Sequence, residues 1–362
     1  MKTKRLKAEV RETSRRPELE LLKALAIISM ILCHPVIRLG IHNPGYENEF
    51  LFFLGEEIFG KYLCVTHAFM FAMGFGMIFM RKSEPKDLML RGVKIYLLGY
   101  ALNFFRYGIY SLAEGVIAGE FRSDILEALF GMDILHFAGL ALIITGFLKK
   151  LKFREVHMLA ISGILSVIGS IIPFIDTGNY AGNWFLGHFV FTKFDACCFP
   201  FFNWYIFVAA GMFFGSILRR TEEPDRLYKR LMIVSCCIMV VYIVLTFCFG
   251  VFFLCRDREY YATSLLESIG LLSIDLSLLS AFYFLLKRVP VSKFRVFLDM
   301  SRNITLIYII HWCIIGFVDS IFCFMFEISF PWPVIYLFGV ILIVLSGWLA
   351  KLWAKRKQSA KA

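Results

Sequence analysis

Long apolar segments separated by short basic clusters run through almost the whole chain. Ten of these segments have about 17 to 25 residues, the length that a helix needs to cross a bilayer. They lie near residues 19–39, 58–80, 93–112, 126–148, 157–175, 199–218, 231–253, 264–287, 303–324 and 333–352. The third is the least regular, because Asn103 and Arg106 interrupt it. We therefore predict an all-α, polytopic transmembrane helical bundle of about ten spans, with a membrane domain over 19–353 and basic tails over 1–18 and 354–362.

The basic residues predict how this bundle is oriented. Of the 39 lysines and arginines, 30 fall in the tails and in every second loop. The alternate loops hold only six, namely Arg38, Lys61, Arg122, Lys193, Arg256 and Arg258. Because positive residues are retained on the cytosolic side, both termini are predicted to be cytosolic. The chain is thus expected to be a multi-pass protein of the cell membrane.

Composition agrees with the pattern and excludes several other classes of protein. The chain is 59% hydrophobic and only 19% charged, and its 40 phenylalanines exceed what one soluble core could bury. The net charge of +11 does not indicate a nucleic-acid partner, because the basic residues cluster at the ends of apolar runs. Ten cysteines without a C-x-x-C spacing predict no metal site. A disulfide from Cys197 or Cys198 to Cys255 stays a hypothesis, since most cysteines suit apolar helix positions.

The first apolar segment carries a lysine and a histidine on one helical face. At 100° per residue, the eleven positions from Lys23 to His34 leave the two about 20° apart, with His34 roughly 16 Å deeper. Glu20 lies one turn before Lys23 on the same helix. Ionisable residues at membrane depth indicate function more often than chance. A buried imidazole favours its neutral form, which makes His34 a candidate general base, although snorkelling of Lys23 and an interhelical hydrogen bond from His34 are the structural alternatives.

Other polar residues at membrane depth allow two interpretations each. His136, with Asp133 one turn away, is either a second polar centre or an interhelical hydrogen bond. Glu267 and Asp275, eight residues apart, fit a proton relay or, better, structural pairing. His67 on the outer side could approach an external substrate or, better, be a satisfied interfacial histidine. The remaining candidates are Tyr308 and His311 in the ninth segment, and Arg91 with Lys94 at the predicted cytosolic surface. Arg91 and Lys94 share a helical face and could hold a phosphorylated ligand.

Three of these motifs resemble one family of membrane enzymes. Lys23-x10-His34, with acidic Glu20 before it, resembles the Arg/Lys-x10-His signature in the first helix of the acyltransferase-3 type transmembrane acyltransferases. Arg91-x-x-Lys94 is similar to their cytosolic Arg-x-x-Arg element, with lysine in place of the second arginine. Ser301-Arg-Asn-Ile-Thr-Leu-Ile-Tyr308-Ile-Ile-His311 resembles their late Ser-x-x-Thr-x-x-x-Tyr-x-x-His helix.

Two further stretches resemble the related heparan-α-glucosaminide N-acetyltransferase-like branch. They are Asp133-Ile-Leu-His136-Phe-Ala-Gly-Leu, and Phe199-Pro-Phe-Phe-Asn-Trp204 followed by Gly211-x-x-x-Gly215.

The resemblance implies a membrane-embedded transferase that moves an acyl group, usually acetyl, from cytosolic acyl-CoA. The acceptor would be a hydroxyl or amine of a glycan or lipid-linked sugar at the membrane or its outer side. By motif, His34 is the catalytic residue, and Lys23, Arg91 and Lys94 engage the CoA phosphates or position the thioester. Glu20, His136, Tyr308 and His311 are further candidates. The resemblance implies acyl-CoA as co-substrate without a permanently bound cofactor, and leaves open whether His34 acts as a base or accepts the acyl group itself.

A transport protein is the main alternative. A proton-coupled transporter or flippase would use His34, Glu267 and Asp275 as its titrating groups. The position of Lys23 toward the cytosol and the lack of a visible internal repeat favour the transferase. A purely structural membrane subunit leaves the aligned Lys23 and His34 unexplained.

Overall fold

The structure is a computed structural model in which residues 16–46, 49–63, 66–80, 84–119, 125–172, 174–194, 196–249 and 260–359 are described. The first eight α-helices are α1 (Pro17–Leu39), α2 (Phe50–Phe53), α3 (Thr66–Phe79), α4 (Pro85–Asn103), α5 (Ile109–Ala118), α6 (Ile125–Phe130), α7 (Ile134–Lys150) and α8 (Glu155–Ile171). The others are α9 (Tyr180–Gly187), α10 (Phe201–Arg220), α11 (Pro224–Phe249), α12 (Leu265–Arg288), α13 (Arg295–Arg302), α14 (Ile304–Val318) and α15 (Trp332–Ser359). The described residues contain no β-strand, so the predicted all-α class is confirmed.

Eight helical segments within the described residues are long and apolar enough to cross a membrane. They are Pro17–His42, Phe50–Phe79, Pro85–Leu112, Phe201–Arg220, Pro224–Thr246, Leu265–Arg288, Ile304–Cys323 and Trp332–Lys357. Each corresponds to one of the ten predicted spans. The other two predictions fall on α7 and α8, which have 17 residues each.

The predicted span over 126–148 is not one helix. It consists of α6 and α7, and the chain between them leaves the helical path at Gly131–Asp133. Met132 forms a bridge with Cys197 there, and Asp133 becomes the N-cap of α7. Apolar composition alone could not reveal this break, because its cause is a distant segment of the chain. At the C-terminus, α15 continues to Ser359, so residues 354–359 of the predicted tail are helical.

Wider helical turns interrupt three of the candidate spans. The stretches Leu54–Tyr62, Phe104–Gly108 and Asp319–Met325 have π-helical hydrogen bonding. Such segments occur frequently at functional sites. The second stretch contains Arg106, one of the residues that made the third predicted span irregular, and the third begins at Asp319. Both of these charged residues belong to the candidate site.

Glycines allow two central helices to pack at backbone contact. A Cβ atom on Gly74 of α3 would overlap the carbonyl oxygen of Val208 on α10, and one on Gly211 of α10 would overlap that of Phe71. Small residues bring membrane helices together in this way. Trp204, Tyr205 and Phe207 fill the core around this contact. In contrast, Val240, Val244, Val340 and Val344 on α11 and α15 are exposed, as expected for surfaces that face lipid.

The helix ends that the charge pattern assigns to the cytosol come together on one side of the bundle. Glu18 at the start of α1 accepts a hydrogen bond from Tyr228 near the start of α11 (2.9 Å). Lys351 near the end of α15 pairs with Asp299 of α13 (3.1 Å). Arg219 at the end of α10 donates to the carbonyl of Ile78 in α3 (3.2 Å). Which side faces the cytosol stays a prediction, and residues 1–15, Arg122, Arg256 and Arg258 lie outside the described part of the chain.

The segment between α8 and α10 folds back on itself. Ile175 forms a bridge with Thr192, and the exposed Lys193 ammonium pairs with Asp176 at 2.6 Å. The hydrogen bond from Lys193 lowers the pKa of the Asp176 carboxyl to about 2. The Cys197 thiol donates to the carbonyl of Gly187. Cys255 lies outside the described residues, so the hypothesised disulfide has not been tested.

Candidate active site

Ionisable residues of α1 and of the short 3₁₀ turn that follows it (Gly40–His42) occupy three levels across the membrane. Glu20 and Lys23 lie near the start of α1, His34 lies in its body, and Arg38 and His42 lie at its far end. From Lys23 to His42 the helical rise is about 28 Å, close to the thickness of the hydrocarbon core. Other elements complete the levels: Arg91, Ser301 and Arg302 in the first, Arg106, Asp133, Tyr308, His311 and Trp312 in the middle one, and Asp319 in the third. We call this set of residues the polar column.

The first level of the column borders a large cavity. The Lys23 ammonium contacts the Glu20 carboxylate at 2.7 Å, and the hydroxyl of Ser301 donates to the same carboxylate. Glu20, Lys23, Ser301, Arg91 and Arg302 all line this cavity of about 540 Å³. The cavity therefore has a charged mouth.

The predicted basic pair at this mouth is divided between two environments. Arg91 lines the cavity, and its guanidinium approaches the sulfur of Met80 at 3.1 Å. Lys94, one turn further along α4, is exposed and does not line the cavity. Only Arg91 of this pair is therefore in position to contact a molecule that enters the cavity.

The inner part of the cavity is apolar and ends at a tyrosine. Met30, Ile134 and Leu135 line it there, together with Tyr308. The Tyr308 hydroxyl donates to the Asp133 carboxylate at 2.5 Å. A long molecule with a charged head and an uncharged arm would match this distribution of polar and apolar walls.

Asp133 is the centre of the middle level. One of its carboxylate oxygens accepts from Tyr308 and from the Arg106 guanidinium (2.8 Å), and the other accepts from the Ile134 amide (2.6 Å). Its own amide donates to Nδ1 of His136 at 3.1 Å. His136 is thereby part of the cap of α7, and its other nitrogen, Nε2, is buried with no hydrogen-bond partner among the described residues. The aspartate fixes the orientation of both Tyr308 and Arg106.

The hydrogen bonds of His311 determine the tautomer of His34. Nδ1 of His311 lies 2.9 Å from the carbonyl of Ile307, which only accepts, so Nδ1 carries a proton. In a neutral His311, Nε2 then accepts the hydrogen bond from Nδ1 of His34, 2.8 Å away. This assignment leaves Nε2 of a neutral His34 unprotonated. A ring in this state can take a proton from a substrate at Nε2.

Trp312 connects His34 to Arg106. The indole ring lies 4.3 Å from the imidazole of His34, and the Arg106 guanidinium stacks over it at 4.6 Å. His34 is half-buried, whereas Arg106 is buried. Nε of Arg106 has no hydrogen-bond partner among the described residues. A buried cationic donor and an imidazole thus lie against the same indole ring.

The third level lies at the far end of α1. Asp319 accepts from Arg38 at 2.5 Å and from His42 at 3.0 Å, and Arg38 stacks over Tyr107 at 5.2 Å. Ligand atoms of His42, Asp319 and Cys323 lie within 4.8 Å of one another, a grouping that a metal ion could use. Because Arg38 already neutralises Asp319, we interpret this level as an ion pair.

The structure thus brings most of the predicted site residues to one region. Four of them line the cavity, namely Glu20, Lys23, Arg91 and Tyr308. The ring of Tyr308 contacts that of His311, with centroids 5.5 Å apart, and His311 is hydrogen-bonded to His34. Sequence reasoning did not identify Arg106 or Trp312 as parts of the site. An arginine in an apolar span was the available signal for Arg106. Trp312 had no comparable signal, because tryptophan is common in membrane helices.

Three other candidates have structural roles elsewhere. His67 and Asp275 are both fully buried and hydrogen-bonded at 2.9 Å, which favours the alternative that His67 is satisfied by its neighbours over an approach to an external substrate. Glu267 forms a capping box with Ser264 at the start of α12. Glu267 and Asp275 therefore belong to different hydrogen-bonded groups, and neither is bonded to His34.

The family comparison agrees with this geometry. A family model described as an acyltransferase domain, of the acyltransferase-3 type, matches residues 16–352. No curated protein matched the chain significantly. The matched region contains all three levels of the polar column and the cavity. The chain belongs to the acyltransferase-3 family of membrane acyltransferases.

Proposed function

We propose that this protein transfers an acetyl group from cytosolic acetyl-CoA to a hydroxyl group of a glycan at the opposite side of the membrane. The observation that carries the proposal is the cavity of about 540 Å³, which runs from the charged mouth to Tyr308, beside the His311–His34 pair. The charged residues at its mouth suit the phosphate nearest the pantetheine arm of CoA. Its apolar inner part suits the uncharged pantetheine arm.

The length of the donor matches the depth of the histidine. His34 lies about 16 Å beyond Lys23 along α1. The pantetheine arm is long enough to cover this depth, so a donor whose arm enters at the mouth beside Arg91 would bring its thioester to the level of Tyr308 and His34. Lys23, which is held by Glu20, would contact the phosphates or the upper part of the arm.

His34 acts as the general base in this proposal. Its unprotonated Nε2 removes the proton from the acceptor hydroxyl while that oxygen attacks the thioester carbonyl carbon. The C–S bond then breaks, the acetyl ester forms, and the proton passes from His34 to the CoA thiolate to give free CoA. Arg106, with an unpaired Nε–H near the same indole, stabilises the negative charge on the carbonyl oxygen in the transition state.

The acceptor approaches from the far end of α1. Arg38 is four residues beyond His34 on the same helix, and both Arg38 and His42 contact the Asp319 carboxylate. Charged donors and acceptors of this kind suit a hydroxyl-rich ligand. A proton-coupled transporter is not favoured, since Asp275 pairs with His67 and Glu267 caps α12 with Ser264, both outside the polar column.

The decisive test compares two histidine variants in purified, reconstituted protein. We expect His34→Ala to reduce transfer of radiolabelled acetyl from acetyl-CoA to membrane glycan by about 10²–10⁴-fold, the usual contribution of a general base. The matched control is His157→Ala, because His157 is exposed, lies outside the cavity and the polar column, and accepts a hydrogen bond from the Arg154 amide. Wild-type activity in the His34 variant would remove His34 from the chemistry. An acetyl adduct on His34 after incubation with donor alone would make it the nucleophile instead.

A further inference from the structure

The cavity of about 540 Å³, in which the proposed function places the acyl-CoA donor, is called the donor cavity below. A second cavity adjoins it on the side predicted to be cytosolic. It has a volume of about 270 Å³ and lies where four helix ends meet. Its polar lining comes from Lys149 at the end of α7, Glu155 at the start of α8, and Ser216, Arg219 and Arg220 at the end of α10. Met77 of α3 lines both cavities, so the two cavities adjoin at this side chain.

The charges of this second cavity are available for an anion. None of Lys149, Arg219 and Arg220 forms an ion pair within the described residues. The Arg219 guanidinium is held in place by its hydrogen bond to the Ile78 carbonyl (3.2 Å), which leaves its other N–H groups for a ligand. Three cations and one carboxylate give the lining a net positive charge. Phosphate oxygens are the ligands that arginine and lysine bind most strongly.

The size of the cavity limits what it can hold. Small-molecule sites usually have volumes of about 300–1,000 Å³, so this cavity suits a phosphorylated part of a larger ligand. The carboxylate of Glu155 is compatible with a nucleotide, because a ribose hydroxyl donates to an acidic residue in other nucleotide sites. A simple inorganic anion would gain nothing from that carboxylate.

The donor cavity alone has too few free cations for the head of CoA. At its mouth Lys23 is paired with Glu20, and Arg302 lies 3.4 Å from Asp299. Arg91 remains there without an ion pair in the described part of the chain. The nucleotide end of CoA carries a diphosphate and a 3′-phosphate, and therefore needs more positive charge than the mouth supplies.

We infer that Lys149, Arg219 and Arg220 bind the phosphorylated adenosine end of the acyl-CoA donor, while the pantetheine arm passes Met77 into the larger cavity. This inference rests on the proposed function, because it divides one donor between two adjacent cavities. It assigns a nucleotide subsite to residues of α7 and α10, which lie outside the sequence motifs.

The test replaces the three cations together and varies the donor. In the Lys149→Gln, Arg219→Gln, Arg220→Gln variant, we expect the KM for acetyl-CoA to rise about tenfold or more, as for loss of a charge-assisted contact. The KM for S-acetyl-4′-phosphopantetheine, which lacks the nucleotide, should stay unchanged. The matched control is the Lys150→Gln, Lys229→Gln, Arg230→Gln variant, which removes three exposed cations from helix ends of the same side without touching the cavity lining.

A binding measurement separates this inference from the proposed function. Adenosine 3′,5′-bisphosphate, titrated into the reconstituted full-length protein, should bind to the wild type and to the control but not to the triple variant. If adenosine 3′,5′-bisphosphate shows this binding pattern while acetyl transfer is undetectable, the nucleotide subsite stands and the proposed transfer is wrong. Equal KM changes for both thioesters, or retained binding by the triple variant, would overturn the subsite. The subsite would also be overturned if the triple variant kept both KM values and lost only anionic lipid that co-purifies with the wild type, since the three cations would then bind lipid.

Discussion

Arg91 and Lys94 are three residues apart in sequence but differ in what they can contact. Arg91 lines the donor cavity, and Lys94 is exposed outside it. In the sequence they looked equivalent, since both belong to one short basic motif on one helical face. α4 packs against α7 at Gly92, which contacts the backbone of Gly139, and of the two exposed cations only Arg91 borders the cavity.

This difference gives a prediction for a matched pair of variants. Arg91→Ala should raise the KM for acetyl-CoA by about tenfold and lower kcat less, because uniform binding of the donor is what it removes. Lys94→Ala should leave both constants near their wild-type values. Steady-state kinetics with varied acetyl-CoA measures both. An unchanged KM in the Arg91 variant would show that Arg91 does not bind the donor and serves only as a positive charge that orients the chain in the membrane.

The residues of the site differ in how visible they were in the sequence. Lys23 and His34 could be found because helical periodicity fixes their relative angle and depth within one element. His311 was found from the late motif, but its bond to His34 joins two helices 277 positions apart. The central role of Asp133 was hidden for the same reason. It depends on Arg106 and Tyr308, which reach it from two other helices.

At the scale of elements, α3 borders the donor cavity at a glycine, Gly76. A Cβ atom on Gly76 would meet no atom within 4 Å, and Gly76 borders the cavity. A larger side chain at this position would therefore extend into the empty volume without disturbing the packing of α3. Gly163 of α8 also has open space around its Cβ position but does not line the cavity.

These two glycines give a prediction about the donor path. We expect Gly76→Leu to lower kcat/KM for acetyl-CoA by about tenfold or more, since the new side chain occupies the space of the pantetheine arm. Gly163→Leu should have wild-type activity. Both variants should keep the thermal unfolding midpoint of the wild type in detergent, measured by intrinsic fluorescence. Full activity of the Gly76 variant would place the donor elsewhere.

The elements themselves were predictable to different degrees. Hydrophobic length located every long helix, because a spanning helix must satisfy its backbone internally and cover about 30 Å. It did not reveal the break between α6 and α7, which depends on the bridge from Met132 to Cys197. Nor did it reveal the π-helical stretch Phe104–Gly108, where α14 packs closely enough for Gly316 to contact Arg106.

At the scale of the whole molecule, the two ends of the bundle should face different compartments. Basic residues predict that the end with Lys23, Arg91 and Arg219 is cytosolic. The segment with Asp176 and Lys193 would then be external. The proposed reaction requires this orientation, because acyl-CoA is a cytosolic donor.

Epitope insertion tests the orientation. A tag inserted after Gly178 in the segment between α8 and α9 should bind antibody on intact cells. A tag inserted after Glu222, between α10 and α11, should bind only after permeabilisation. Gly178 and Glu222 are both exposed, so neither insertion disrupts the core. The reverse pattern of labelling would contradict the topology and, with it, the delivery of a cytosolic donor to Lys23.

The polar column has a consequence for how the protein responds to the membrane potential. Each of its levels pairs a cation with a carboxylate: Lys23 with Glu20, Arg106 with Asp133, and Arg38 with Asp319. One unpaired elementary charge that moved through 100 mV would exchange about 2.3 kcal/mol with the field. Because partners at the same depth cancel, these three pairs contribute almost no gating charge. The potential therefore acts on the reaction mainly through the charges that the substrates bring, and the protein can keep ionic groups along its whole thickness without becoming a voltage sensor.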